Sequence, residues 1–241
     1  MVTSRKPNKR AEPAGGEDVT ERIRAALASA MADGALRPGT KLSEDVIGKH
    51  FKVSRTVVRG ALNVLQRDHL IDRQRNRGAF VAEPTVAEAR ELLDARNLLE
   101  LSIVERAAQH AQTADLDRLE ALTHEEEAIH NATDEAAKTR LSGHFHVELA
   151  ALARNGVLQE LLEKVVARIA LVSALYGEDR SNKCGAHDHR AIVAAMRRGD
   201  VAAARAEMQA HLDDIAQRIR LNGAQSDNRS LESVLERFSP R

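Results

Sequence analysis

At 241 residues, with 43% hydrophobic and 30% charged residues, the chain has enough apolar material for a core and enough length for two modest domains. A single Cys excludes an intrachain disulfide. No apolar run approaches the roughly 18 residues of a membrane span and no signal-peptide core is present, which together point to the cytoplasm. The formal net charge is zero but unevenly spread: residues 1–82 carry 16 Lys/Arg and 9 Asp/Glu, a net +7, and the remainder carries 20 and 27, a net −7. A basic front joined to an acidic back suggests a nucleic-acid module attached to something else.

Residues 1–16 are polar, basic and rich in Pro and Gly, and read as a disordered arm. A helix starts near Asp18 or Thr20, because Val19, Ile23, Ala26, Leu27, Ala30 and Met31 recur at helical spacing, and Gly34 ends it. Leu36–Leu42 is a turn built on Pro38-Gly39. Ser43 caps a short helix, Glu44 to Phe51, with Val46, Ile47 and Phe51 inward. Lys52-Val53 then turns into a second helix beginning at Ser54.

In that helix Val53, Val58, Leu62 and Leu65 share the inward side. Ser54 is suited to accept a hydrogen bond from the first turn as its N-cap. Arg55, Thr56 and Arg59 are left pointing outward. Arg can grip guanine O6/N7 or phosphate, and Thr can meet a phosphate, a base edge or a thymine methyl. Two short strands follow, Leu70-Ile71 and Ala79-Phe80-Val81, around the basic tip Asp72-Arg73-Gln74-Arg75-Asn76-Arg77-Gly78. This is a wing whose Arg77 can enter a minor groove and whose Gly78 supplies the backbone freedom of the tip.

Leu36-Arg37-Pro38-Gly39-Thr40-Lys41-Leu42-Ser43-Glu44, Val53-Ser54-Arg55-Thr56-Val57-Val58-Arg59 and Asn76-Arg77-Gly78-Ala79-Phe80-Val81 together resemble the winged helix-turn-helix of GntR-family bacterial transcription regulators. The resemblance implies that Arg55 and Arg59 are the principal DNA contacts, that Ser54 and Thr56 touch backbone or bases, and that Arg77 and Gly78 act at the wing. The chain departs from that pattern at Gly60, where the family usually has Glu. The expected consequence is a slightly looser helix and one negative charge fewer on the DNA face.

Residues 86–221 read as six helices, near 86–111, 113–131, 134–153, 157–176, 186–198 and 200–221, with no strand between them: an antiparallel bundle. In residues 222–241, Leu231, Val234, Leu235 and Phe238 can form an amphipathic turn or two that docks on a partner. His146, His189 and His211 lie among apolar residues on three separate helices. Two readings stand: three imidazoles converging on a divalent transition metal, or three unrelated histidines, one on the surface and two hydrogen-bonded in the core. Cys184, a lone loop cysteine before the His187–His189 helix, carries no motif.

Arg96-Asn97-Leu98-Leu99-Glu100, Phe145-His146, Asn155-Gly156, Asp188-His189-Arg190-Ala191-Ile192, Gly199-Asp200 and His211-Leu212 resemble the FCD effector domain of the FadR subfamily. In many FCD regulators an Asp four residues before the Phe-His histidine joins three His as metal ligands. Here that position is Ser142, a far poorer ligand. The resemblance leaves three states for the site: a metal, Zn or Ni, on His146, His189 and His211 completed by water or effector; a metal-free effector pocket; or an empty remnant. The first leads. It also implies that Arg96 faces an effector pocket, where its guanidinium suits a carboxylate, with an i,i+4 pair to Glu100 as the plainer role.

The expected fold is mainly α: a winged helix-turn-helix at 17–82 with three helices and a β-hairpin wing, a linker at 83–86, an all-α six-helix bundle at 87–221, and a tail. The expected function is a ligand-responsive transcription regulator, more often a repressor in this family. It binds a short palindromic double-stranded operator as a homodimer and responds to a small anionic effector. Two other readings compete with it: a metal-dependent enzyme on the helical part, and a nonspecific architectural DNA binder.

Overall fold

The computed structural model describes residues 16–129, 135–177, 185–219 and 230–238. The basic arm up to residue 15, Cys184 and residues 220–229 lie outside the described residues. The first domain is built from α1 (Gly16–Ala32), β1 (Lys41–Leu42), α2 (Glu44–Phe51), α3 (Arg55–Arg67), β2 (Ile71–Gln74) and β3 (Gly78–Val81). The apolar stripe of α1 is buried as its spacing requires, with Ile23, Leu27 and Ala30 fully covered. Ser43 caps α2 by accepting from the Val46 N–H, and Lys52 closes it in the left-handed region at φ 56°. Both ends of α2 are therefore fixed, and with them the direction in which α3 leaves.

The sheet differs from a plain hairpin. Its order is β1-β3-β2, all antiparallel, with Lys41 opposite Phe80 and Leu42 opposite Ala79. Residues 41–42, read above as the end of a turn, are a third strand that ties the start of the helix-turn-helix to the wing. Gly39, at φ 80°, donates its N–H to the Val81 carbonyl at 2.9 Å and completes that tie.

Among its described residues the second domain is helical apart from one bridge between Gly177 and Ile219: α4 (Val86–His110), α5 (Thr113–Ala128), α6 (Glu135–Leu152), α7 (Gly156–Tyr176), α8 (Gly185–Arg197) and α9 (Val201–Arg218). Three of these helices start on side-chain caps. Thr85 and Glu88 form a reciprocal capping box on α4, Asn155 accepts from Val157 and Leu158 on α7, and Asp200 accepts from Ala203 on α9. The core gathers around Phe145, Leu149, Leu162, Ile192 and Met208, all but fully buried.

The junction between the domains is packed. Pro84 is buried and its carbonyl accepts from the Tyr176 hydroxyl at 2.9 Å, pinning the linker to the end of α7. α1 lies against α6 and α7, and Leu171 of α7 belongs to the apolar core of the first domain. A tenth helix, α10 (Leu231–Phe238), buries Leu231, Val234 and Leu235 in that same core against α1 and α2. The expected amphipathic tail helix is thus present, but it docks within the chain: its apolar edge finds uncovered apolar surface on its own first domain. No helix among the described residues is long and apolar enough to cross a membrane.

Candidate functional site

Two regions answer to the sequence reading. The first is the outer side of α3. Val58, Ala61, Leu62 and Leu65 are buried, while Ser54, Arg55, Thr56 and Arg59 are exposed. Ser54 occupies the N-cap position with extended backbone, but its side chain makes no cap hydrogen bond. Its hydroxyl therefore stays outward beside Arg55. At the wing, Arg77 and Gly78 are exposed, Gly78 holds φ 105°, and the Arg77 guanidinium lies 5.6 Å from the centre of the Phe80 ring. Gly60 is not on this outward side. It is half-buried against α1, and a Cβ there would stand 3.5 Å from the Thr20 methyl. The expected loss of charge from the DNA face is corrected accordingly: position 60 belongs to the α1–α3 contact.

Two residues missed by the sequence reading complete this surface. Asp45 of α2 binds Arg55 through two contacts, Nε to Oδ1 at 2.6 Å and NH2 to Oδ2 at 2.9 Å. Glu44 receives the Arg59 Nε, at 3.1 and 2.8 Å to its two oxygens. Their place in the first turn of α2 was visible; their reach across to α3 was not.

The second region is inside the bundle. α6, α8 and α9 bring His146, His189 and His211 together, all at or near zero exposure. Their Nε2 atoms face one centre, with His189 to His211 at 3.1 Å and His211 to His146 at 3.3 Å. The Nδ1 atoms point outward to three carboxylates. His146 meets Glu100 of α4, His189 meets Glu126 of α5 at 2.8 Å, and His211 meets Asp188 of α8 at 3.2 Å. Phe145 stacks flat on His189 at 4.0 Å and fixes the plane of that ring. The reading with one histidine on the surface is ruled out, and each imidazole is oriented from behind by an acid.

The acids settle the tautomers. Burial pushes the Glu100 carboxyl up, but the Arg96 guanidinium and the hydrogen bonds from His146 and Arg96 outweigh it and hold Glu100 well below the usual carboxylate range. The hydrogen bond from His211 likewise holds Asp188 down. Both acids therefore accept Nδ1–H, and the Nε2 atoms of His146 and His211 face each other at 3.3 Å. Burial drives the pKa of His146 and of His189 well below that of a free imidazole. Burial also pushes Glu126 up to about 7, against the pull of His211. Neutral Glu126 leaves a hydrogen on His189 Nε2; ionised Glu126 accepts Nδ1–H instead and frees His189 Nε2.

Such a set fits a divalent transition metal. Two imidazole nitrogens on one tetrahedral zinc at ~2.0–2.1 Å stand about 3.3 Å apart, close to the two separations seen here, and acids behind the ligands are the usual second layer of such sites. Ser142 sits at the mouth: a Cβ on Gly185 would lie 3.8 Å from Ser142 Oγ, 3.8 Å from His189 Cε1 and 3.9 Å from His211 Cε1.

The mouth opens into a cavity of about 480 Å³ lined by α1, α6, α7, α8 and α9, with Arg96 of α4 in its wall. Arg96 is buried and donates to Glu100 at 2.5 Å, so both roles expected of it are compatible. Lys138, Arg140 and Arg218 add cationic lining against Glu126 and Glu163. Ala28, Ser29 and Ala32 of α1 close one side, so a helix of the first domain is part of the wall. Arg140 also stands 3.9 Å from Asp33, at the end of α1. No local pattern announces Lys138, Arg140, Arg218 or the α1 residues as part of this lining.

Comparison with known proteins agrees with this geometry. Residues 91–214 match the FCD domain, and residues 19–81 match the bacterial regulatory proteins of the gntR family. The chain belongs to the GntR family. It is 30% identical over 189 residues to the HTH-type transcriptional regulator YdhC of Bacillus subtilis, covering 78% of this chain and 84% of that one. It is 28% identical over 205 residues to the galactonate operon transcriptional repressor of Escherichia coli, covering 75% and 88%. A GntR regulator from Rhodococcus sp. RHA1 superposes with a TM-score of 0.72 at 29% identity, over 83% of this chain and 97% of its own. The protein is a DNA-binding transcription regulator with a ligand-sensing helical domain. The GntR domain carries the first region; the FCD domain contains the second.

Proposed function

We propose that this GntR regulator is a cytoplasmic repressor that binds a short palindromic operator as a homodimer and releases it when a small carboxylate enters the FCD cavity. Ser54, Arg55, Thr56 and Arg59 read the major groove, and Arg77 and Gly78 of the wing approach the minor groove. Leu98 of α4 and Val157 and Leu161 of α7, large apolar side chains left exposed on two neighbouring helices, support a second copy seated on that face. Arg96, Ser142, His146, His189 and His211 are the effector-contacting residues, and a divalent metal, Zn or Ni, is held by the three histidines. When bound, it supplies a Lewis-acidic anchor for an anionic oxygen; Arg96 supplies the matching fixed cation. The relative named for the galactonate operon concerns a polyhydroxy carboxylate, which agrees with this choice of ligand class.

The observation that carries the sensing part is the shared wall. Ala28, Ser29 and Ala32 belong to the DNA-binding domain yet border the cavity, so an occupant presses directly on α1 as well as through the pinned linker. A change in α1 shifts α3, and half-site spacing is strict enough for the 1–3 kcal/mol typical of allosteric coupling to matter. The test is duplex binding to the protein's own upstream region at fixed salt. The Arg55→Ala/Arg59→Ala variant loses it, and a panel of hydroxycarboxylates contains members that weaken wild-type binding but not that of Arg96→Ala. Full affinity in the double variant overturns the reading helix, and a panel without effect overturns the carboxylate class.

A further inference from the structure

Asp45 and Glu44 hold the two reading arginines in different ways, and the difference has a consequence for DNA recognition. Arg55 gives Asp45 both its Nε and its NH2, one of the two edges with which an arginine takes guanine or phosphate bidentately. Arg59 gives Glu44 only its Nε, and its NH1/NH2 edge stays outward. Arg59 can therefore meet DNA with its partner still in place. Arg55 cannot present its Nε/NH2 edge without leaving Asp45.

We propose that Asp45 is a specificity residue: it occupies Arg55 against random duplex and yields it only at the correct base. The pair is well placed for this. Both side chains are more than half exposed, so the bond is weak and exchanges freely. A single phosphate oxygen offers Arg55 little beyond what the Asp45 carboxylate already gives. A guanine in register offers a bidentate pair that discriminates by about ten- to a hundredfold. Asp45 thus subtracts from every encounter, while only the encounter with the matched base outweighs it. Glu44 acts in the opposite sense, since by fixing Nε it aims the free edge of Arg59. This inference rests on Arg55 reading DNA, as proposed above.

The experiment uses the full-length chain and two duplexes, one selected from a random library by the wild-type protein and a shuffled one of equal composition. In Asp45→Asn, affinity for the shuffled duplex rises about three- to tenfold and affinity for the selected duplex changes less, so the specificity ratio falls. The salt dependence on shuffled DNA steepens by about one phosphate equivalent. Asp45→Glu keeps the wild-type ratio, and Glu44→Gln lowers affinity for the selected duplex without raising the other. In Arg55→Ala/Asp45→Asn the effect of Asp45 disappears, since the carboxylate acts only through Arg55. An unchanged ratio in Asp45→Asn overturns the proposal. An effect that persists without Arg55 also overturns it, and leaves the DNA-binding assignment of Arg59 and the wing standing.

Discussion

At the scale of single residues, Gly60 and Glu126 show how position decides meaning. Gly60 stands within a helix, where Gly costs about 1 kcal/mol relative to Ala. A Cβ there meets only the Thr20 side chain, at ordinary contact distance. Gly60→Ala is therefore expected to raise stability by about 1 kcal/mol in chemical denaturation, with duplex binding unchanged. A fall in stability would mean that the α1–α3 contact has no room. Glu126 gives a pH dependence. In the metal-free protein its carboxyl is pushed up to about 7 by burial, so below that pH it is neutral and keeps a hydrogen on His189 Nε2. Metal binding must displace that hydrogen. Zn²⁺ affinity is expected to be clearly higher at pH 8 than at pH 6, and Glu126→Gln, with an amide that cannot ionise, is expected to flatten the difference. Titration calorimetry at the two pH values measures both.

At the scale of elements, the first turn of α4 and the docking of α10 set stability. The Thr85 backbone N–H and hydroxyl hold the Glu88 carboxyl below its ordinary value of 4.5. A lowered folded-state pKa stabilises the fold above the ordinary value, and that contribution is lost as pH falls through the lowered one. Thr85→Ala is expected to cost about 1 kcal/mol near pH 7 and to leave a shallower loss of stability on acidification. The α10 contact makes a stronger demand. Leu235 is fully buried in the core of the DNA-binding domain, so Leu235→Ala is expected to cost about 2–4 kcal/mol. Removing residues 230–241 is expected to lower the melting temperature of the DNA-binding domain even though the whole helix-turn-helix and wing remain. Calorimetry of the truncated chain measures this, and an unchanged transition would place α10 outside that core.

At the scale of the whole molecule, the DNA-reading arginines and the histidine centre are joined by packed protein. The α1 helix buries one side against α3 and offers Ala28, Ser29 and Ala32 to the cavity, while Tyr176 holds the linker. The exposure of Leu98, Val157 and Leu161, together with the proposed homodimer, leads to a prediction about assembly. Leu98→Asp is expected to shift the protein from dimer to monomer in analytical ultracentrifugation and to weaken binding to a two-half-site duplex far more than to a single half-site. A dimer that survives this change would move the interface elsewhere.

Much of this molecule is written locally. Helical periodicity, the Pro38-Gly39 turn, the Ser43 cap and the Asn76-Arg77-Gly78 tip act within a few residues, so they marked the winged domain, the bundle and the three histidine helices in the sequence itself. The outward placement of Arg55, Thr56 and Arg59 followed from the same periodicity. What the tertiary structure decided are pairings between distant residues. Glu100 meets His146 across 46 positions, and Glu126 meets His189 across 63. Asp45 reaches Arg55, Gly60 turns to Thr20, α10 folds back onto α1, and α1 closes the cavity. A carboxylate or a leucine has the same local propensities whichever helix it will face. Only the packing of one helix against another, which depends on the shape of both apolar sides at once, selects its partner.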